Sequence, residues 1–228
     1  MQVGLQISQQ KKKGRPVGKR NLKDDILTSA INILSEKGDD ELSLREISRR
    51  LNVTNVALFH YFSNKENLIA ALALQGYEKL KGILKETETS SVHETPLKRL
   101  GLICQAYVEF AQTDEVFYRC MYHGLIRNFD HYPELQKSNQ NCFDIIESAV
   151  IDIPGFSEDK LKVRTTSYTV WSLLHGTVTL LKDTRGHDIL ESKNLTSKTI
   201  ISSLDQMLAQ LISNSGHPLD QNSNIEYI

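Results

Sequence analysis

Residues 42–62 read LSLREISRRLNVTNVALFHYF, and this stretch decides the fold of the N-terminal part of the chain. Ser43 and Glu46 have the spacing of a capping box, which predicts that a helix begins between them. A three-residue turn at Leu51–Val53 separates this helix from a second, very short one that Thr54 can cap. Two short helices joined by such a turn are typical of a helix-turn-helix.

The two predicted helices have one apolar face and one face of small or polar side chains. The apolar positions predict a small shared core, formed by Ile47, Leu51, Val53, Leu58 and Phe62. The opposite face presents Thr54, Asn55, Val56, Ala57, Phe59 and His60. A short helix of this kind fits a major groove about 12 Å wide, where its side chains reach base edges. Short amphipathic helix pairs also occur in many other folds, so geometry alone leaves this interpretation open.

The charge distribution points to the same end of the chain. The net charge is −1, but residues 1–65 carry 12 Lys and Arg against 7 Asp and Glu, whereas residues 66–228 carry 15 against 21. The first 20 residues contain six basic side chains and no acidic one. A basic end on an acidic body predicts a localised site for a polyanion.

The order and spacing of three segments, 42–48, 51–62 and 64–68, resemble the TetR/AcrR family of one-component regulators. The resemblance covers roughly residues 22–70. It implies that one set of residues holds phosphates, namely Ser43, Thr54, Phe59, His60 and Lys65. It implies that the middle of the third helix reads bases through Asn55, Val56 and Ala57. Arg45 completes the predicted DNA-binding set.

Three positions depart from the family pattern. Asn52 stands where the turn often has Gly, and Asn tolerates the left-handed conformation better than other non-glycine residues. Phe59 replaces the usual Tyr, so a phenolic hydroxyl bond to phosphate is missing. Val56 stands where Gly is frequent and could contact a thymine methyl group. These departures put the operator sequence in doubt, but not DNA binding itself.

The segment before the first helix resembles an AT-hook, whose core is Gly-Arg-Pro flanked by basic residues. The predicted DNA-binding arm comprises Lys11, Lys12, Lys13, Arg15, Lys19 and Arg20. Arg15 followed by Pro16 can lie along a narrow A/T minor groove, where the enhanced negative potential favours arginine. The alternative is a basic tail that adds only nonspecific affinity.

The rest of the chain reads as helix, which predicts an all-α protein. Helical segments are expected at 22–37, 65–86, 96–113, 114–126, 134–151, 158–183 and 196–213, with a polar loop at 87–94. The predicted domains are a basic arm at 1–21, a helix-turn-helix domain at 22–68, an effector-binding and dimerisation domain at 69–215, and a polar tail at 216–228. In the resembling family the last two long helices form a four-helix bundle with those of a second copy, which implies a homodimer.

The segment Trp171–Gly176 resembles the tryptophan–histidine–glycine segment of one subgroup of family effector domains. An unknown small-molecule effector is therefore expected in the C-terminal part. The candidate pocket residues are Tyr107, Phe110, Met121, Tyr122, Phe143, Trp171 and His175. Each of them has an alternative interpretation as a core residue, because apolar helix faces bury aromatic side chains without any ligand.

The sequence offers little support for other classes of protein. Cys104, Cys120 and Cys142 are an odd number without a close pair, so a disulfide framework or metal site is not expected, and the cysteines are interpreted as buried small hydrophobes in a cytoplasmic protein. No apolar run reaches the roughly 18–20 residues that span a bilayer. No catalytic motif stands out, so neither an enzyme nor a cofactor is predicted.

These features together predict a ligand-responsive repressor that binds a palindromic double-stranded DNA operator as a dimer. Effector binding would favour a head spacing that mismatches the two half-sites. One alternative keeps the fold but makes the protein an architectural or partner-controlled DNA-binding protein. A second alternative is an enzyme with a DNA-binding appendage.

Overall fold

The computed structural model describes residues 21–182, 188 and 197–214, and every regular element in that part of the chain is helical. The all-α prediction is therefore confirmed. The elements are α1 (Leu22–Lys37), α2 (Leu44–Leu51), α3 (Asn55–Phe59), α4 (Lys65–Ser90), α5 (Pro96–Thr113), α6 (Glu115–Tyr122), a 3₁₀ turn (Phe129–His131), α7 (Pro133–Ile151), α8 (Lys160–Lys182) and α9 (Ser197–Asn214).

Side-chain caps explain where the first three helices begin. The side chains of Asn21, Ser43 and Thr54 each accept a hydrogen bond from a backbone N–H in the first turn of the helix that follows. These bonds satisfy donors that have no partner within the helix. Gly38, with φ of 82°, ends α1. The caps at Ser43 and Thr54 are predicted from residue type, and the structure confirms them.

Two predicted helix ends are wrong. Helix α4 runs to Ser90 instead of ending near Glu86, and the hydroxyls of this polar segment are accommodated in the helix by bonds to carbonyls one turn earlier. The Thr87 hydroxyl donates to the Ile83 carbonyl at 2.9 Å, and the Thr89 hydroxyl donates to the Lys85 carbonyl at 2.8 Å. Helix α6 ends at Tyr122 and not near residue 126, since Gly124 adopts a φ of 69° that a helix does not allow.

The described residues divide into two compact units, with the boundary between Tyr61 and Phe62. In the first unit, α1 packs against α2 and α2 packs against α3. Ile47 and Leu58 are fully buried there, as the helix-turn-helix core predicts, whereas Leu51 and Val53 are half-buried. Phe62, which the sequence assigns to the same core, is buried and is the first residue of the second unit.

In the second unit, α4 packs against α5, α6 and α7, and α8 packs against α5 and α7. Helix α9 lies mainly against α5. Cys104, Cys120 and Cys142 are all buried, which confirms their interpretation as small core residues. Within the described ranges, no helix is long and apolar enough to cross a membrane.

Candidate nucleic-acid interface

Two of the three arginines on α2 form ion pairs within the protein. The Glu46 carboxylate accepts hydrogen bonds from Arg49 at 2.8 Å and from Arg50 at 3.2 Å. These two bonds, with that from Arg49 the stronger, lower the pKa of Glu46 to about 2. Arg50 also pairs with Glu36 at 2.9 Å. Glu46 therefore binds the two guanidinium groups. Of the two hydrogen bonds of the predicted capping box, the structure describes the one in which the Ser43 hydroxyl accepts from the Glu46 N–H.

Arg45 differs from its two neighbours. Its side chain is exposed, and among the residues that the structure describes its guanidinium has no ion-pair partner. The helical spacing explains this difference, since Arg49 and Arg50 lie three and four residues after Glu46, whereas Arg45 directly precedes it. Arg45 is thus the α2 arginine that can bind a phosphate without first breaking a pair.

The capping hydroxyls at the two helix starts are suited to a second partner. The Ser43 Oγ accepts from the Glu46 N–H at 3.2 Å, and the Thr54 Oγ1 accepts from the Ala57 N–H at 3.3 Å. Each hydroxyl still has its own proton to donate, because it acts only as an acceptor in the cap. Hydroxyl donors at helix starts commonly bind DNA phosphates. Both residues are exposed.

Helix α3 presents an exposed outer face. Val56 is 79% exposed, Phe59 is 54% exposed, and Asn55 and His60 are exposed as well. Ala57 is half-buried. This face combines apolar and polar side chains, as expected of a helix that contacts thymine methyl groups and base edges.

The turn between α2 and α3 depends on Asn52. Asn52 has φ of 54° and ψ of 45°, which is the left-handed conformation, and its N–H bonds back to the last turn of α2. It is the one non-glycine residue with positive φ in the described part of the chain. The interpretation of Asn52 as a substitute for Gly in the turn is confirmed.

Sequence reasoning missed a contact that joins α2 to α3. The Ser48 hydroxyl lies 2.7 Å from Oδ1 of Asn55 and 2.8 Å from the Arg45 carbonyl. In the sequence, Ser48 is only one residue of the family-like segment. Its position one residue after the buried Ile47, facing the following helix, is the signal that could have revealed the contact.

The remaining predicted DNA-binding residues lie elsewhere. Lys65 is the first residue of α4, in the second unit, and Asn64 caps that helix by accepting from the Asn67 N–H at 2.8 Å. The six basic residues of the predicted arm, all within residues 11–20, lie outside the described residues.

Comparisons with known proteins agree with this geometry. Residues 26–72 match the family model described as bacterial regulatory proteins of the tetR family, and residues 100–193 match the tetracyclin repressor-like C-terminal domain. Together the two matches cover more than half of the chain. The chain belongs to the TetR family of bacterial regulators. It is a DNA-binding transcriptional regulator with an N-terminal helix-turn-helix, as predicted.

Three relatives illustrate how far the similarity extends. An uncharacterized HTH-type regulator of Bacillus subtilis, YobS, is 27% identical over 182 residues, covering 78% of this chain and 90% of that protein. The negative regulator of the biofilm operon icaADBC in Staphylococcus epidermidis, IcaR, is 38% identical over 47 residues, covering 21% of this chain and 25% of IcaR. The crystal structure of the TetR-family regulator PfmR from Thermus thermophilus has a TM-score of 0.61 at 14% identity, covering 81% of this chain and 97% of PfmR.

The second unit of this TetR-family regulator contains a cluster of aromatic rings, which joins five of the seven predicted pocket residues. Tyr107, Tyr122, Phe143, Trp171 and His175 come together there. Ring centroids are 4.5 Å apart for Tyr122 and His175, 4.9 Å for Trp171 and His175, 5.4 Å for Tyr107 and Trp171, and 5.8 Å for Phe143 and Trp171.

The other pocket residues behave differently. Phe110 is buried in α5, and Met121 is buried beside Gly76 of α4. Sequence reasoning missed Tyr118, which contacts both Tyr107 and Tyr122. Its spacing of four residues from Tyr122 on one helix was the available signal.

Both ring nitrogens of His175 are bound within the protein. Nδ1 lies 3.0 Å from the Trp171 carbonyl, which can only accept, so Nδ1 carries the proton. Nε2 is then an acceptor for the Tyr107 hydroxyl at 3.3 Å. Burial lowers the pKa of His175, which keeps the ring neutral near pH 7 and consistent with this pattern.

A groove of about 590 Å³ opens beside the ring cluster, between α7 and α8. Its lining residues are Gln140, Phe143, Glu147, Arg164, Thr165, Tyr168 and Thr169. Phe143 belongs both to the groove and to the ring cluster. A small molecule in the groove would therefore lie one side chain away from Trp171.

The segment that follows α6 is bonded to the first turn of α4. The Tyr132 hydroxyl donates to Oδ1 of Asn67 at 2.6 Å, and the Asn128 N–H donates to the Glu66 carboxylate at 3.2 Å. Further along α4, a Cβ placed on Gly76 would lie 2.6 Å from the Sδ of Met121 on α6. The first turn of α4 thus contacts the segment that follows α6, and Gly76 of α4 contacts α6 itself.

Proposed function

We propose that this regulator is a homodimeric repressor that occupies a palindromic operator and leaves it when a small-molecule effector binds. The observation that carries the proposal is the exposed face of α3, flanked by the capping hydroxyls and by Arg45. The similarity to IcaR, a negative regulator of a biofilm operon, favours repression over activation.

The proposed interface divides its work between anchoring and readout. Ser43, Thr54 and Arg45 would bind phosphates, together with His60 and Lys65, whose positions match the family pattern. Phe59 has no hydroxyl, so it would contact the backbone sugars through its ring. Asn55, Val56 and Ala57 would face the base edges, and the exposed valine would pack on a thymine methyl group.

The basic arm would add contacts outside the major groove. Arg15 would insert into an A/T-rich minor groove flanking each half-site, with the remaining lysines and Arg20 on phosphates.

The effector site would be formed by the groove between α7 and α8 and by the adjoining rings. Its apolar wall at Phe143 and Tyr168, with Arg164 and Glu147 of opposite charge, fits an aromatic or amphipathic molecule. Because Phe143 lines the groove and contacts Trp171, which in turn contacts His175, a ligand would meet Phe143 and the indole before it could engage the imidazole. We also propose that the C-terminal domain of this chain belongs to the tryptophan–histidine–glycine subgroup of family effector domains.

Coupling between effector and DNA would pass along α4. The ring cluster includes Tyr118 and Tyr122 of α6, α6 packs on Gly76 of α4, and the segment after α6 is bonded to the first turn of α4. A shift of α6 would therefore be transmitted to the start of α4, which follows the helix-turn-helix in the chain. The effector need only bind one head spacing more tightly than the other.

The dimer would form through α8 and α9. Helix α8 exposes Leu161 and Leu180, and α9 exposes Met207. Large exposed apolar side chains along long helices favour a bundle with a second copy. Light scattering at micromolar concentration should give twice the 25.9 kDa chain mass, and a monomer would contradict both the dimer and the palindromic operator.

Selection of bound sites from random DNA tests the proposal most directly, because it reports binding, symmetry and sequence together. An architectural protein would select bent or A/T-rich DNA without a palindrome. With the selected operator, Arg45→Ala should weaken binding on all sequences and make the salt dependence shallower by about one unit. Arg49→Ala is the matched control, and its effect on DNA binding should be smaller because Arg49 is paired with Glu46.

A further inference from the structure

The hydroxyl of Ser48 holds one half of the Asn55 side chain. Ser48 is 7% exposed on α2, whereas Asn55 is exposed at the start of α3. The Ser48 Oγ lies 2.7 Å from Oδ1 of Asn55 and 2.8 Å from the Arg45 carbonyl, and its single proton is shared between these two oxygens. The Arg45 carbonyl belongs to α2 itself, so Ser48 is fixed relative to that helix.

This contact limits what Asn55 can offer to a base. A carboxamide has an acceptor oxygen and a donor NH₂ group. Asparagine recognises adenine by using both, with the oxygen accepting from N6 and the NH₂ donating to N7. The Ser48 hydroxyl uses one of the two lone pairs of Oδ1 and fixes the orientation of the carboxamide, whereas the NH₂ group of Asn55 has no hydrogen-bond partner among the described residues.

We propose that Ser48 is a specificity-determining residue, which holds Oδ1 of Asn55 toward α2 and so favours guanine over adenine at the base pair that Asn55 contacts. Guanine presents two acceptors in the major groove, N7 and O6, whereas adenine presents one acceptor and one donor. The unpartnered NH₂ group matches the guanine edge, whereas the N6 amino group of adenine would have to compete with Ser48 for Oδ1. This inference rests on the proposed base readout by α3.

Ser48 acts here as a positioning residue, since it would not touch DNA itself. Its effect on the operator would pass entirely through the orientation of the Asn55 carboxamide. The readout must therefore be base preference, which a merely structural role of Ser48 would leave unchanged.

The test is Ser48→Ala, with affinities measured on operators that carry each of the four base pairs at every position of one half-site. Alanine favours helix, so the variant should fold. Without the hydroxyl, Oδ1 of Asn55 is released and the carboxamide can bind adenine with both groups. The guanine-to-adenine affinity ratio should shift toward adenine by about tenfold, at the same base pair where Asn55→Ala loses discrimination.

Ser29→Ala is the matched control. Ser29 is also a buried helical serine of the first unit, and its Oγ has no hydrogen-bond partner among the described residues. This variant should keep the wild-type preference. The double variant Ser48→Ala with Asn55→Ala should behave as Asn55→Ala alone.

The outcomes separate the two proposals. If Asn55→Ala changes no base preference, readout by Asn55 fails and the role of Ser48 fails with it. If Asn55→Ala changes the preference but Ser48→Ala does not, only the inference about Ser48 is overturned. A wild-type preference for adenine or cytosine at the Asn55 base pair would overturn it as well.

Discussion

Replacing Gly76 by alanine should destabilise the protein, although alanine is the better helix former. Gly76 is buried in α4, where α6 approaches closely. A Cβ at this position would lie 2.6 Å from the Sδ of Met121 and 3.0 Å from the Cβ of Phe117. The methionine side chain can rotate away, but the Cβ of Phe117 is fixed to the backbone of α6. Relief of this contact therefore requires the two helices to move apart.

The expected magnitude follows from two opposing effects. Alanine in place of glycine within a helix stabilises by about 0.5–1 kcal/mol. Extra volume in a close-packed core costs about 1–3 kcal/mol. The net result is a loss of roughly 1 kcal/mol in the free energy of unfolding for Gly76→Ala. In a protein of this size, that corresponds to a decrease in Tm of about 2–4 °C.

Gly82→Ala isolates the packing cost, because Gly82 lies on the same helix with no heavy atom of the described residues within 4 Å of its Cβ position. This variant should be stabilised by about 0.5–1 kcal/mol, since it gains helix propensity without a clash. The difference between the two variants removes the shared propensity effect and should be about 2 kcal/mol. Thermal and urea unfolding at one fixed protein concentration measure it. Equal stabilities of the two variants would refute the close approach of α4 and α6.

Three further predictions concern pH and salt. The pKa of Glu46 is lowered to about 2, so its ion pairs stabilise the folded state above the ordinary pKa of a glutamate and are lost as the pH falls toward 2. In acid titrations followed by circular dichroism, Glu46→Gln should lack this part of the unfolding transition. Burial lowers the pKa of His175, so the unfolded chain binds this proton more readily below about pH 6.5. The Tm of the wild type should therefore fall more between pH 7.5 and 5.5 than that of His175→Gln, and equal decreases would contradict the burial of the imidazole. Deleting residues 1–20 should make the slope of log affinity against log salt shallower by several units, at about 0.9 for each phosphate that the arm no longer neutralises. Arg15→Ala should weaken binding to A/T-flanked operators more than binding to G/C-flanked ones. Equal losses of affinity on both kinds of flank would show that the arm is a nonspecific tether.

Local chemistry made the N-terminal unit predictable from sequence. Its helix starts depend on capping side chains, and its turn depends on Asn52 in the left-handed conformation. Each of these features involves residues within four positions of one another. Residue type and spacing are sufficient for such features, because the interacting atoms are held close by the chain itself.

The helix ends that sequence reasoning missed depend on competing local bonds. Thr87 and Thr89 belong to a polar segment that composition assigns to a loop. Their hydroxyls can nevertheless bond to carbonyls of the preceding turn within a helix, and they do so in α4, which runs to Ser90. Composition does not distinguish these two uses of a hydroxyl.

The ring cluster could be predicted only in part. Aromatic residues on apolar helix faces were expected to be buried, but the contact between Tyr107 and His175 joins residues 68 positions apart. Which inward-facing rings meet depends on how α5, α6 and α8 pack. Phe110 lies on the same helix as Tyr107 and is also aromatic, and it is buried without belonging to the described ring contacts of the cluster.

The structure changes the functional interpretation mainly by showing which polar groups are already bound. Arg45 and Arg49 look equivalent in sequence, but Glu46 binds Arg49. Asn55 looks like a side chain with two groups for a base, but Ser48 binds one of them. A DNA or effector contact by a bound group must first break an existing hydrogen bond, so its net contribution is the difference between two bonds. For this reason, the residues expected to dominate binding are those whose donors have no partner within the protein, and residue type alone does not identify them.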